Sequence, residues 1–101
     1  MIRHLLLIRF KPTATPEAVA AVWPLFEAIP SQVEGVVAVE WGRNNSPEGL
    51  DRGYTHAVLM TFADEAGRQN YLPHPAHEAL KQVFVPLLED IIVIDYPCQG
   101  V

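Results

Sequence analysis

The chain holds one cysteine, Cys98, in 101 residues. An intrachain disulfide is excluded, and the chain reads as one suited to a reducing, cytoplasmic setting. Basic runs are missing too. Seven Lys and Arg are scattered among twelve Asp and Glu, for a formal net charge of -5. Nucleic acid and anionic membrane surfaces need clustered positive charge, so neither is expected as a partner. No apolar run could span a bilayer. The N-terminal run, Leu5 to Ile8, is bounded by Arg3 and Arg9 and is too short for a signal core. There is no Gly-rich phosphate loop, no dinucleotide fingerprint and no serine in an elbow motif, so no cofactor and no acyl-enzyme chemistry are expected. His74 and His77 have a spacing that could pair on a metal. Pro75 lies between them and no third ligand accompanies them, so no metal is expected.

Half of the residues are hydrophobic and 19% are charged, a globular composition. The length fits one domain, residues 1–101. Residues 2–10 alternate as a strand, with His4, Leu6, Ile8 and Phe10 on one face. A helix is expected to follow, capped by Thr15 with Pro16 at its first position, and Pro24 should kink it or start a second short turn. "VVAVEWG" after Gly35 reads as a second strand and "YTHAVLMTF" as a third. Between them lies the turn-rich loop "RNNSPEGLDRG". A helix up to Pro73 and another over about 76–88 precede the last strand, "DIIVIDY". The tail "PCQGV" is expected to have little order.

The order βαββαβ predicts an α+β fold of the ferredoxin-like type, with one four-stranded antiparallel sheet in the order 4-1-3-2. Its helices cover one face only. Yet Leu5, Leu7, Ala57 and Leu59 make the other face apolar as well, where a solvated face should alternate with polar residues. A second copy of the chain is the simplest cover, so a homodimer joined through its sheet faces is expected. The alternative is a mildly apolar face open to water.

This topology brings His4, Tyr71, His77 and Asp95 to one end of the sheet, with His56 toward the other. A histidine titrating near neutrality can move a proton. A carboxylate on its far nitrogen fixes the tautomer, and a tyrosine hydroxyl can donate to a carbonyl oxygen that gains charge. That set can remove a proton next to a carbonyl. Each residue also has a plain structural reading. His4 would be a hydrogen-bonded core histidine, Tyr71 a packing residue, Asp95 a solvated terminus, and the two prolines punctuation. In "YLPHPAHEAL", Pro73 and Pro75 should push Leu72 and His74 into extended conformations. The corner would aim His77 inward and leave His74 toward solvent.

"RHLLLIRFK", "WGRNNSPEGLDRGYTHAV", "YLPHPAHEAL" and "DIIVIDY" together resemble the stress-responsive A/B barrel domain family over almost the whole chain. The resemblance implies a ferredoxin-like subunit that pairs through its sheets into a dimeric α/β barrel. The family is functionally mixed. It includes plant stress proteins, bacterial members of unknown role and a plant polyketide cyclase that performs an intramolecular aldol condensation. Carried over by motif, the cyclase's catalytic pair falls on Tyr71 and His77. His4, His56 and Asp95 match polar positions around that site, and Trp23, Phe26 and Phe84 could wall a substrate tunnel. Three functions follow as expectations: a binder or lyase/cyclase-type enzyme for a carbonyl compound, a non-catalytic stress-related dimer, and a cofactor-independent monooxygenase.

Overall fold

The computed structural model describes residues 1–98. Strand β1 (Ile2–Phe10) leads into helices α1 (Pro16–Ala20) and α2 (Trp23–Gln32), then strands β2 (Val36–Arg43) and β3 (His56–Phe62). Helices α3 (Glu65–Tyr71) and α4 (Pro75–Phe84), a 3-10 turn at Val85–Leu87 and strand β4 (Leu88–Pro97) complete the chain. The sheet is antiparallel with the order β2-β3-β1-β4, the expected ferredoxin-like order read from its other edge.

The first helical stretch is two helices. The Thr15 hydroxyl accepts from the Ala18 N–H at 3.1 Å and caps α1. Pro24 has no N–H to give the Ala20 carbonyl, so the helix ends there and restarts with Pro24 in the first turn of α2. Proline also interrupts the second half. Pro86 sits in the 3-10 turn, so α4 stops at Phe84 and does not reach Leu88. Strand β4 begins two residues earlier than the apolar pattern suggests and runs on to Pro97. The tail is more ordered than its composition implies, since the Cys98 N–H donates to the Met1 carbonyl at 2.9 Å. Residues 99–101 of the tail lie outside the described residues.

The core lies between the sheet and the helices. Leu6 and Ile8 from β1, with Val58, Met60 and Phe62 from β3, meet Val22, Trp23, Phe26, Ile29, Leu80 and Phe84. The opposite sheet face carries half-buried Leu5, Leu7 and Leu59, with Ile94 48% and Tyr96 44% exposed. No helix among the described residues is long and apolar enough to cross a membrane.

Helix α3 is fixed by a backbone-to-backbone contact. A Cβ on Gly67 would stand 2.6 Å from the Gly35 oxygen, and one on Gly35 would stand 2.5 Å from the Gly67 Cα. Gly35 also has φ +93, and its carbonyl accepts from the Ala63 N–H at 2.8 Å. Only glycine suits both positions. The pair sets the depth at which α3 carries Arg68 and Tyr71 over the sheet.

Candidate active site

Four helical positions define one wall of a cavity. His77, Leu80, Lys81 and Phe84 recur at i, i+3, i+4 and i+7, so α4 presents them on one face. Opposite them stand His4 and Leu6 of β1, Phe26 of α2 and Tyr71 at the end of α3. The cavity measures about 260 Å³ and its lining is mainly apolar. A larger one of about 490 Å³ lies on the other sheet face, beneath the 44–54 loop and floored by Leu7, Ala57 and Ile92.

The "PHPAH" corner positions two histidines for different tasks. His74 is extended (φ -67, ψ 141), as a residue before proline should be, and it caps α4 by accepting the Ala76 N–H on Nδ1 at 3.0 Å. It is half-buried, so its side chain turns in to cap the helix and does not point into solvent. Leu72, expected to be extended, keeps helical angles (φ -56, ψ -44) ahead of Pro73. Its carbonyl is thereby turned toward α4, where His77 Nδ1 lies 2.8 Å away. A carbonyl can only accept, so Nδ1 carries the proton and Nε2 is the free nitrogen of neutral His77. Burial pulls the His77 imidazole below its ordinary value. The Leu72 bond opposes this, and the Lys81 and Glu78 charges act in opposite directions, Lys81 lowering and Glu78 raising.

Tyr71 packs its ring against His77, with centroids 4.2 Å apart. It is 2% exposed, and among the described residues its hydroxyl has no hydrogen-bond partner. Burial raises its phenol well above the ordinary tyrosine range, so it stays a proton donor at neutral pH. His4 completes the group. Its ring meets Tyr71 edge-on at 6.1 Å, and its Nδ1 donates to Asp95 Oδ1 at 2.7 Å across the β1–β4 pair. Asp95 does not line the cavity; it holds His4 from behind.

His4, Tyr71, His77 and Asp95 therefore meet as the topology predicts, with Phe26 and Phe84 as wall. Trp23 and His56 do not join them. Trp23 lies beyond Phe26, stacked on Trp41 and His56 at the other end of the sheet. Trp23 therefore does not wall the Tyr71–His77 cavity, because it sits at the start of α2 and its indole stacks on Trp41 of β2. Arg68 escaped the sequence reading. It donates to Asp95 Oδ2 at 3.2 Å and also pairs with Glu65. Its place one helical turn before Tyr71 was the signal that could have found it. Lys81, at the cavity and ion-paired to Glu78 at 2.8 Å, also escaped it, and its place one helical turn after His77 was the corresponding signal.

Residues 2–98 match the family described as the Stress responsive A/B Barrel Domain. The chain belongs to this family. Among A/B barrel relatives, the Arabidopsis thaliana stress-response A/B barrel domain-containing protein HS1 is 33% identical over 95 residues, covering 94% of this chain and 87% of HS1. Olivetolic acid cyclase of Cannabis sativa is 26% identical, covering 94% of both chains. A dimeric ferredoxin-like protein of unknown function from Thermobifida fusca superposes with a TM-score of 0.83 at 26% identity, covering 96% of this A/B barrel chain and 90% of its own.

Proposed function

We propose that this protein is a homodimeric, cyclase- or lyase-type enzyme that removes a proton next to a carbonyl, with His77 as base and Tyr71 as donor to the carbonyl oxygen. One observation carries the reading. Tyr71 is buried with its hydroxyl unpartnered among the described residues, beside a cavity that His77 also lines. The Tyr71 ring is buried but its hydroxyl is open to the cavity, so a bound ligand or water is its natural partner.

The chemistry runs through named atoms. Nε2 of His77 takes the proton from the carbon next to the carbonyl. The C–H electron pair becomes an enolate, whose oxygen accepts a hydrogen bond from the Tyr71 O–H. In a cyclase-type reaction the enolate carbon attacks a second carbonyl of the same molecule. The C–C bond forms, that carbonyl's π pair moves to its oxygen, and the proton on Nε2 returns to the new alkoxide. The high phenol value keeps Tyr71 from ionising, and the low imidazole value keeps His77 neutral and able to act. The His4–Asp95 pair, braced by Arg68, holds the floor of the site. Olivetolic acid cyclase, by its name, closes a ring, and this supports the cyclase-type reading.

The dimer is proposed through the open sheet face. No helix covers half-buried Leu5, Leu7 and Leu59 there, the 44–54 loop arches over only the Leu7 end of the face, and the Thermobifida protein of the same fold is dimeric. The functional test is conversion of a linear β-triketone, followed as ring closure to the cyclic aldol, which loses its new hydroxyl as water and enolises to an aromatic product. Wild type should bind and close it. His77→Ala should not, while its melting temperature stays within a few degrees. A large fall in stability with no ligand bound by the wild type would instead mark His77 as a packing residue.

A further inference from the structure

Trp23 and Trp41 are the only two tryptophans of the chain, and they lie face to face, ring centroids 4.2 Å apart and 4° from parallel. His56 joins the same stack, 5.2 Å from Trp23 and tilted 25°. The stack borders a cavity of about 530 Å³ between α1, α2 and the β2–β3 end of the sheet. This cavity shares no lining residue with the Tyr71–His77 site. The Trp23–Phe26 and Phe10–Phe84 ring contacts stand between the two.

Its charge is one-sided. Arg43 lies directly across the β2–β3 ladder from His56, and both line the cavity. None of the eleven lining residues is acidic, in a chain with an excess of five negative charges. Among the described residues Arg43 makes no ion pair, whereas Lys81 and Arg68 around the other cavity are both paired. His56 Nδ1 is tied to the Thr55 hydroxyl at 2.8 Å, so its Nε2 stays available. Burial first and the Arg43 charge second pull its imidazole below the ordinary value, a penalty that a bound anion would relieve. A planar apolar wall beside an uncompensated guanidinium is the complement of a ring that carries a carboxylate.

We propose that this second cavity binds a small aromatic carboxylate, with its charge on Arg43 and His56 and its ring against the Trp23–Trp41 pair. The site serves recognition, since its lining holds no tyrosine to pair with His56. It is independent of the proposed enolisation and can stand if that fails.

Both tryptophans border the site, so the intact protein reports its own occupancy. Phenylacetate should change tryptophan fluorescence saturably. 2-Phenylethanol, without the charge, and cyclohexanecarboxylate, without the aromatic ring, should each bind about tenfold more weakly or worse. Arg43→Gln, at an exposed strand end, should weaken phenylacetate about tenfold with an unchanged melting temperature, and Arg43→Lys should recover much of the loss. His77→Ala should leave phenylacetate binding intact. The proposal is overturned by absence of saturation in the wild type, by equal binding of 2-phenylethanol, by an unaltered affinity in Arg43→Gln, or by loss of binding in His77→Ala, which would move the ligand to the first cavity.

Discussion

His77 donates through Nδ1 to the Leu72 carbonyl five residues earlier, across the break between two helices. That bond exists because Leu72 stays helical before Pro73, and it leaves Nε2 as the basic nitrogen. The proline corner thus sets a tautomer as well as a direction.

A base with this environment has a predictable pH profile. The His77 value is lowered, so kcat/KM should rise with pH to a plateau, with its midpoint below the ordinary imidazole value of about 6.5. Stability should follow the same sign. The unfolded chain binds the proton more tightly than the folded one, so the folded state loses stability as pH falls from about 6.5 through the lower folded value. Above that window the group contributes nothing. Kinetics and urea titrations between pH 5 and 8 check both, and a midpoint above the ordinary imidazole value would contradict the assigned environment.

Tyr71→Phe removes one oxygen that has no partner among the described residues. Turnover should fall by about a hundredfold or more, the scale for losing one donor to a developing oxyanion. The melting temperature should hardly move, because the ring and its contacts with His4, Phe62 and His77 remain. Retained turnover would remove Tyr71 from the chemistry.

Gly67→Ala sets two effects against each other. Alanine in a helix gains about 1 kcal/mol of propensity over glycine. The new methyl would meet the Gly35 backbone at 2.6 Å, and backbone cannot rotate away as a side chain can. Overpacking of this kind costs about 1–3 kcal/mol, so the clash should win. The variant should melt lower, by roughly 4–8 °C per kcal/mol of net loss in a chain of this size. Helix α3 should shift outward and carry Tyr71 with it, so turnover should fall too. Equal or higher stability would mean that the Gly35–Gly67 approach is looser than described.

Leu7→Asp places a carboxylate on the second sheet face, beside the 44–54 loop. If that face is the dimer interface, an unpaired charge there is costly, and sedimentation should show dissociation or unfolding. A variant as dimeric and stable as the wild type would place the interface elsewhere.

The strand faces were legible because β1 and β3 alternate with period two, and one helix-covered face fixes their register. His4, Asp95, Tyr71 and His77 could be brought together from topology alone, since antiparallel neighbours put the start of β1 beside the end of β4. Proline chemistry was less legible. Pro24 allowed a kink or a fresh turn, and the expected helix over about 76–88 ran through Pro86, yet each proline breaks its helix because it brings no N–H. Leu72 resisted the usual influence of a following proline because the rule expresses a preference, which the Tyr71 and Leu72 carbonyl bonds outweigh here. Trp23 was misplaced because helical spacing shows which face is buried but not which strand it meets. Arg68 and Lys81 look like ordinary surface charges until the fold sets them beside Asp95 and the cavity.

The pairing of His4 with Asp95 joins residues 91 apart in sequence. Strand β1 sits in the interior of the sheet, pairs with β3 on one edge and waits for β4 on the other, with Ile2 opposite Pro97. Such long-range pairing makes folding slow relative to local structure. It also has a meaning for synthesis. A nascent chain can build its helices and the β2–β3 hairpin on the ribosome, but no competent site exists until nearly the whole chain has emerged. A chain ending at Glu89 should bind no ligand at His77 whatever its helix content, because His4 then lacks Asp95 and the sheet lacks β4.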